Sequence, residues 1–228
     1  MSRLRRFLAL GRTAAARFGE AAGLSRYRAA NAALTTDPDR RPRVVFLGDS
    51  ILAGWPDLAG LVPEGWRCLN RSVSGQTSAQ MLRRFQTDVL ALSPAAVVIL
   101  AGTNDVRGGV SAVAVVSRNI RAMTTLARAR GVQAILATVP PVIVFPGARP
   151  SAARRDPRTI VAVNEWLEGF AEESGCAVAD FHGALADAQG AFARPLTHDG
   201  VHPNAEGYAA MARVLKPVLD AVLRTSGR

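Results

Sequence analysis

Five short apolar runs alternate with stretches of helical periodicity, and this alternation constrains the fold more than any other feature of the chain. The runs are predicted strands: Val44–Leu47, Trp66–Val73, Ala95–Leu100, Val132–Val139 and Cys176–Ala179. Apolar residues recur at helical spacing over residues 79–92, 110–130, 159–174 and 204–223. Strands that alternate with helices form βαβ units. We therefore predict one α/β domain with a mostly parallel five-stranded sheet, covered by helices on both faces.

Three polar motifs stand next to these predicted elements. Gly48-Asp49-Ser50 follows the first strand, and Gly102-Thr103-Asn104-Asp105 follows the third. Asp199-Gly200-Val201-His202-Pro203 precedes the last helix, with a carboxylate three residues before an imidazole. Ligands of open parallel sheets bind beyond the carboxyl ends of the strands, so these segments can meet there. Serine, histidine, a carboxylate and amide donors are the components of a serine hydrolase site.

Four sequence blocks, in this order, resemble those of the SGNH, or GDSL-type, hydrolase superfamily of esterases, lipases, thioesterases and carbohydrate deacetylases. The blocks are Gly48–Ile51, Ser72–Ser78, Gly102–Asp105 and Asp199–Asn204. The resemblance extends over about residues 43–223, and isoleucine at position 51 instead of leucine is a chemically neutral departure. It implies a three-layer α/β/α, flavodoxin-like fold for a hydrolase domain over residues 43–228. The Gly-x-Ser-x-Gly motif of ordinary α/β-hydrolases is absent at Ser50.

The resemblance also implies a role for each site residue. Ser50 would be the nucleophile, His202 its base, and Asp199 the carboxylate that orients the imidazole. The backbone amides of Ser50 and Gly75 and the side-chain amide of Asn104 would form the oxyanion hole. No metal or organic cofactor is expected.

Each of these residues also has a purely structural interpretation. Ser50 could cap the following helix, and Asp199 and His202 could form a turn. Two histidines four residues apart, His198 and His202, permit a metal site. Gly200 and Pro203 disfavour a regular helix at that point, so the hydrolase interpretation is preferred.

The expected activity is serine-dependent cleavage of small-molecule carboxylic esters with short-to-medium acyl chains, through an acyl-enzyme. A carbohydrate O-deacetylase or a lysophospholipase of the same fold is the alternative, and a peripheral membrane or ligand-binding module is the non-enzymatic one. Trp55 and Phe145 are candidate pocket residues. Phe145 belongs to a proline-rich stretch, residues 140–157, that follows the fourth strand and would give the pocket an apolar border.

Positive charge is concentrated at the N-terminus. The chain has a formal net charge of +10, and residues 1–43 contain ten arginines against three acidic residues, a net of +7. Without a nucleic-acid motif, this charge does not indicate nucleic-acid binding. Residues 1–33 are predicted to form a basic amphipathic helix, which could make weak contact with a membrane surface, within an N-terminal segment that ends at residue 42.

Arg5-Arg6 resembles part of a twin-arginine signal, but the apolar run that follows is too short for a normal export signal. A cytoplasmic location is therefore expected, with periplasmic or secreted as the alternatives. Cys68 and Cys176 are expected to be buried free thiols. The oligomeric state does not follow from the sequence.

Overall fold

Five parallel strands form a sheet in the order β2-β1-β3-β4-β5. The computed structural model describes Gly23, residues 25–109 and residues 111–226. The strands are β1 (Arg43–Leu47), β2 (Arg67–Asn70), β3 (Ala96–Leu100), β4 (Gln133–Ala137) and β5 (Ala177–Ala179). The order reverses next to β1, since β2 lies on one side of it and β3 on the other. This is the flavodoxin-like order, so the predicted fold is confirmed, and a ligand is expected beyond the carboxyl ends of β1 and β3.

Helices cover both faces of this sheet. They are α1 (Arg28–Thr36), α2 (Ser50–Ala53), α3 (Ser78–Asp88), α4 (Ser111–Arg128), α5 (Pro157–Ser174), α6 (Phe181–Leu185) and α7 (Ala205–Ser226). Val45 and Leu47 of β1 pack in a cluster with α3, α4 and α5. Val44 and Phe46 pack in a second cluster with α2, α6 and α7. Successive strand side chains point to opposite faces, so the apolar run in β1 supplies both cores of a three-layer structure.

The predicted bounds differ from the structure where the chain leaves the sheet. The second predicted strand, 66–73, is shortened to Arg67–Asn70, because the Asn70 side chain accepts a hydrogen bond from the Ser72 backbone and turns the chain. The helix predicted over 79–92 ends at Asp88, and a short 3₁₀ turn, Leu90–Leu92, follows it. Helix α6 was not predicted, since five residues are too few for a periodic signal.

Helix α1 is attached to the domain by polar contacts. Asn31 Nδ2 donates to Asp88 Oδ1 at 2.7 Å, and the Tyr27 hydroxyl donates to the Ser72 carbonyl at 2.6 Å. Most of the amphipathic segment predicted over residues 1–33 lies outside the described residues. Among the helices that the structure does describe, none combines the length and the apolar character needed to cross a bilayer.

The two cysteines are free thiols at opposite edges of the sheet. Cys68 lies in β2, and Cys176 directly precedes β5. Both are half-buried rather than fully buried, because edge strands are covered on one side less completely than central ones. Burial nevertheless raises the pKa of the Cys68 thiol to about 12, so this thiol is unreactive at neutral pH.

Arg84 is the largest fully buried side chain among the residues that the structure describes, and it connects α3 to the segment after β2. Its Nε donates to Gln76 Oε1 at 2.7 Å, and its Nη1 pairs with Asp88 Oδ2 at 3.2 Å. Both side chains of the pair are at most 3% exposed. Removing one partner of a buried pair leaves the other charge uncompensated.

We expect Arg84→Met to lower the free energy of unfolding by about 3–5 kcal/mol, measured by urea denaturation. Arg83→Met is the matched control, because Arg83 is exposed on the same helix, and its effect should stay within about 0.5 kcal/mol. A loss below about 1 kcal/mol for Arg84→Met would mean that Asp88 finds another partner or water.

Candidate active site

Ser50 begins α2 directly beyond the carboxyl end of β1. The side chain of Asp49, the residue that caps α2, accepts a hydrogen bond from the Ile51 backbone at 2.9 Å. This bond fixes the strand-to-helix turn that presents Ser50. Asp49 is fully buried, and burial raises the pKa of its carboxyl group. The turn therefore places Ser50 at the carboxyl edge of the sheet, and Asp49 is buried beneath it.

The side chains of Ser50, His202 and Asp199 form a continuous hydrogen-bonded chain. Ser50 Oγ lies 2.8 Å from His202 Nε2. The other ring nitrogen of His202, Nδ1, lies 2.8 Å from Asp199 Oδ2. Neutral imidazole has one donor and one acceptor nitrogen, so a carboxylate at Nδ1 selects the tautomer with Nε2 free to accept the serine proton. The residues predicted as nucleophile, base and orienting carboxylate are thus brought together.

Asp199 also organises its own turn. Its Oδ1 accepts hydrogen bonds from the backbone amides of Val201 at 3.0 Å and His202 at 2.8 Å. Burial alone would raise the pKa of Asp199, but the hydrogen bonds from these amides and from the His202 ring outweigh it and lower the pKa. The folded state thus favours the ionised carboxylate. The ionised Asp199 carboxylate therefore stabilises the folded state at neutral pH, and this stabilisation is lost as the pH falls through the lowered pKa.

Gly200 permits a close backbone contact within this turn. Its φ is +82°, and a Cβ atom there would lie 2.1 Å from the Ile143 carbonyl oxygen. The Ile143 amide in turn donates to the Gly200 carbonyl at 3.0 Å. The turn that carries Asp199 and His202 is thereby fastened to the segment after β4.

We expect Gly200→Ala to cost roughly 3 kcal/mol or more of stability and to reduce hydrolysis, since the backbone must move away from Ile143. Gly131→Ala is the control, because Gly131 also has a positive φ, +68°, but its Cβ would meet nothing within 4 Å. It should cost only about 1–2 kcal/mol, the penalty of the left-handed backbone. The stability of both variants would be measured by thermal unfolding. Equal losses of stability in the two variants would contradict this interpretation.

Asn104 follows β3 and lies next to the Ser50 turn. Its Oδ1 accepts hydrogen bonds from Arg107 at 2.9 Å and from Arg155 at 3.2 Å. Guanidinium groups can only donate, so they determine which end of the amide carries the oxygen. The Nδ2 group then donates to the Gln76 carbonyl at 3.0 Å and makes a longer contact of 3.3 Å with Asp49 Oδ2.

Gly75 belongs to the loop after β2 and is exposed beside Ser50. Its φ is +80°, and a Cβ atom would meet nothing within 4 Å. Glycine is therefore required by the backbone conformation rather than by crowding.

These residues border an open cavity of about 540 Å³. Its lining comprises Ser50, Ser74, Gly75, Asn104, Arg107, Arg149, Pro150, Ser151, Arg154, Arg155 and His202. The proline-rich stretch does border the cavity, as predicted, but it contributes mainly arginine and serine rather than apolar side chains. Pro150 is the one apolar side chain that this stretch adds to the lining, so the border is not the mainly apolar one that was expected.

The two predicted pocket residues lie elsewhere. Trp55 is 8% exposed and packs between Phe181 and Tyr208, with ring centroids 5.9 and 5.3 Å away. The helical turn after Ser50 directs it into the core beneath α7. Phe145 is covered by Arg194, whose guanidinium carbon lies 3.4 Å from the ring centroid. Neither Trp55 nor Phe145 is among the residues that line the cavity beside Ser50, so the structure does not place them at this site as expected.

The four arginines of the cavity were missed by sequence reasoning. Arginine is frequent throughout the chain, so arginines after β3 and after β4 do not stand out in the sequence. The available signal was position: Arg107 follows the Asn104 motif, and Arg149, Arg154 and Arg155 follow β4, both at the carboxyl edge of the sheet.

The chain is similar to known GDSL-type proteins over most of its length. A sequence model described as the GDSL-like lipase/acylhydrolase family matches residues 46–210, which contain all four sequence blocks. Esterase TesA of Pseudomonas aeruginosa is 30% identical over 199 residues, which cover 81% of this chain and 90% of that protein.

Two solved structures extend the similarity to the fold. The crystal structure of a GDSL-like lipase from Bacteroides thetaiotaomicron is 34% identical, with a TM-score of 0.75 over 88% of this chain and 98% of that one. The crystal structure of a lipase/acylhydrolase from Enterococcus faecalis is 25% identical, with a TM-score of 0.64 over 80% of this chain and 96% of that one.

Proposed function

This chain belongs to the GDSL-like lipase/acylhydrolase family and is a hydrolase, and from that premise we propose that it cleaves carboxylic esters through an acyl-enzyme on Ser50. The observation that carries the proposal is the hydrogen-bonded chain from Ser50 through His202 to Asp199, with 2.8 Å at each step. Capping or turn formation alone would not require the Ser50 hydroxyl to meet the imidazole of a residue 152 positions away.

In this mechanism His202 Nε2 takes the Ser50 proton as Oγ attacks the ester carbonyl. Asp199 stabilises the imidazolium that forms and keeps the ring in place. His202 then protonates the leaving alcohol. In the second half of the cycle a water molecule, activated by the same nitrogen, hydrolyses the acyl-enzyme.

We assign the oxyanion hole to the backbone amides of Ser50 and Gly75 and to Asn104 Nδ2. All three residues border the same cavity as His202. Asn104 Nδ2 lies 3.0 Å from the Gln76 carbonyl oxygen and 3.3 Å from Asp49 Oδ2, and in this assignment an oxyanion would replace the longer of these two contacts. Each such donor typically contributes about 10²–10³ in turnover.

Esters with short-to-medium acyl chains are the proposed substrates. The cavity is open, and Pro150 is the largest apolar residue in its lining, so it offers little apolar side-chain surface to bury a long acyl chain. The carbohydrate O-deacetylase alternative shares this preference for a short acyl group. The lysophospholipase alternative would need a long apolar surface outside this lining.

Hydrolysis of p-nitrophenyl esters from acetate to palmitate tests the proposal. We expect kcat/KM to be highest between acetate and octanoate and to fall for longer chains. Folded protein that hydrolyses no member of the series would contradict the esterase assignment. A maximum at palmitate would contradict only the proposed chain length.

A further inference from the structure

Positive charge dominates the cavity beside Ser50. Arginine makes up 27 of the 228 residues of the chain, but it supplies four of the eleven residues that line this cavity. Among those lining residues there is no carboxylate, although the chain contains 18 aspartates and glutamates. General arginine content therefore does not account for the lining.

One of the four arginines, Arg155, has a structural role. It is 6% exposed, and its Nε donates to the Thr103 carbonyl at 2.8 Å, while its Nη1 donates to the Ser151 carbonyl at 2.7 Å. Its Nη2 donates to Asn104 Oδ1 at 3.2 Å. Arg155 thus joins the segment after β3 to the segment after β4, and these two segments carry the other three arginines.

The other three guanidinium groups are only partly compensated. Arg149 Nε lies 3.4 Å from Asp199 Oδ2, but Asp199 is already paired with His202. Arg107 donates to the neutral Asn104. The exposed guanidinium of Arg154 forms no hydrogen bond or ion pair with any residue that the structure describes.

The like charges also affect one another. Burial lowers the pKa of the Arg155 guanidinium, and the neighbouring Arg107 and Arg149 lower it further. Clustering several guanidinium groups at one cavity is unfavourable unless an anion is bound there. Guanidinium groups form strong, bidentate hydrogen bonds with carboxylates and phosphates.

We propose that the substrates of this enzyme are esters that carry an anionic group, a carboxylate or a phosphate, and that Arg154 recognises this group with support from Arg107 and Arg149. This proposal rests on the proposed function, because it places the anionic group beside the ester attacked by Ser50. Arg155 and Asn104 maintain the shape of the cavity. Arg154 is thus a specificity-determining residue.

The matched probes are 4-acetoxybenzoate and 4-acetoxybenzamide, which differ in charge but have nearly the same shape, and 4-acetoxyphenyl phosphate as the phosphate probe. Each kcat/KM is divided by the rate constant of alkaline hydrolysis, which removes the difference in leaving-group reactivity. We expect the wild-type protein to prefer the charged esters by about tenfold or more. The preference should shrink between 0.01 and 1 M salt, as the screening length falls from about 30 Å to about 3 Å.

In Arg154→Gln the ratio of charged to neutral kcat/KM should fall by about tenfold, mainly through KM. Arg213→Gln is the matched control, since Arg213 is exposed on α7 beside a separate surface groove, and the ratio should not change. A wild-type ratio of one or less, or an unchanged ratio in Arg154→Gln, would overturn the proposal. Comparison of the carboxylate and phosphate probes identifies which anion is preferred.

Calorimetric titration separates this proposal from the esterase assignment. Phenyl phosphate or benzoate should bind the wild-type protein, and benzamide should bind at least tenfold more weakly. If no ester were hydrolysed but these anions bound in an Arg154-dependent manner, the proposed function would fail and the anion site would stand. If neutral esters were hydrolysed but these anions did not bind, the anion site would fail and the esterase assignment would stand.

Discussion

Ser50→Ala is expected to reduce kcat for ester hydrolysis by about 10⁶-fold, the size of effect found when a serine hydrolase loses its nucleophile. Ser50 Oγ is the only atom of this side chain that meets His202 Nε2, at 2.8 Å, and alanine has no atom to replace it. Residual catalysis from the oxyanion donors and from binding would remain at about 10³–10⁴ over water. The measurement is kcat for the best p-nitrophenyl ester.

Ser174→Ala is the control for Ser50→Ala. Ser174 ends α5 at the amino edge of the sheet, away from the cavity, and its replacement should leave kcat unchanged. Both variants should unfold within a few degrees of the wild-type protein. Retention of more than about one per cent of wild-type activity by Ser50→Ala would show that another group forms the acyl-enzyme.

Asp199→Asn is expected to reduce kcat by about 10⁴-fold. Asparagine keeps one oxygen, which can still accept the backbone amides of Val201 and His202, so the turn is preserved. The atom that replaces Oδ2 can only donate, and the ring must then carry its proton on Nε2, where it cannot accept from Ser50. The variant thus separates orientation of the imidazole from formation of the turn.

Asp187→Asn is a closely matched control for this variant. Asp187 Oδ1 accepts from the backbone amides of Gln189 at 2.9 Å and Ala191 at 3.0 Å, in a similar turn. The hydrogen bonds that the structure describes for its carboxylate go to these backbone amides and not to His202, so kcat should not change. If Asp199→Asn retained more than about a tenth of wild-type activity, Asp199 would be a turn-forming residue and not the partner of His202.

Much of the fold follows from local sequence. The apolar runs of β1 and β3 are buried on both faces, and such runs identify interior parallel strands without tertiary information. The motifs after these strands indicate the edge at which the site forms, because parallel strands present their carboxyl ends together. The family resemblance of the four blocks was confirmed by the comparisons.

Side-chain direction beyond these motifs could not be read from the sequence. Trp55 follows Ser50 by only five positions, yet the turn at the end of α2 directs its ring toward Tyr208 and Phe181. The arginines that line the cavity lie on two segments joined by Arg155. Its hydrogen bonds reach Thr103 and Asn104, which are 52 and 51 positions away in the sequence. Contacts of this kind are set by the tertiary structure and leave no local periodicity.

Covalent trapping tests the assignment of Ser50 most directly. A p-nitrophenyl alkylphosphonate, which phosphonylates an activated serine and releases p-nitrophenol, would be incubated with the full-length protein, and the modified peptide would be identified by mass spectrometry. We expect one adduct per chain, on Ser50, formed in step with loss of esterase activity and formed far more slowly in His202→Ala. An adduct on another residue, or full phosphonylation of Ser50 without loss of hydrolysis, would contradict the acyl-enzyme mechanism proposed for this site.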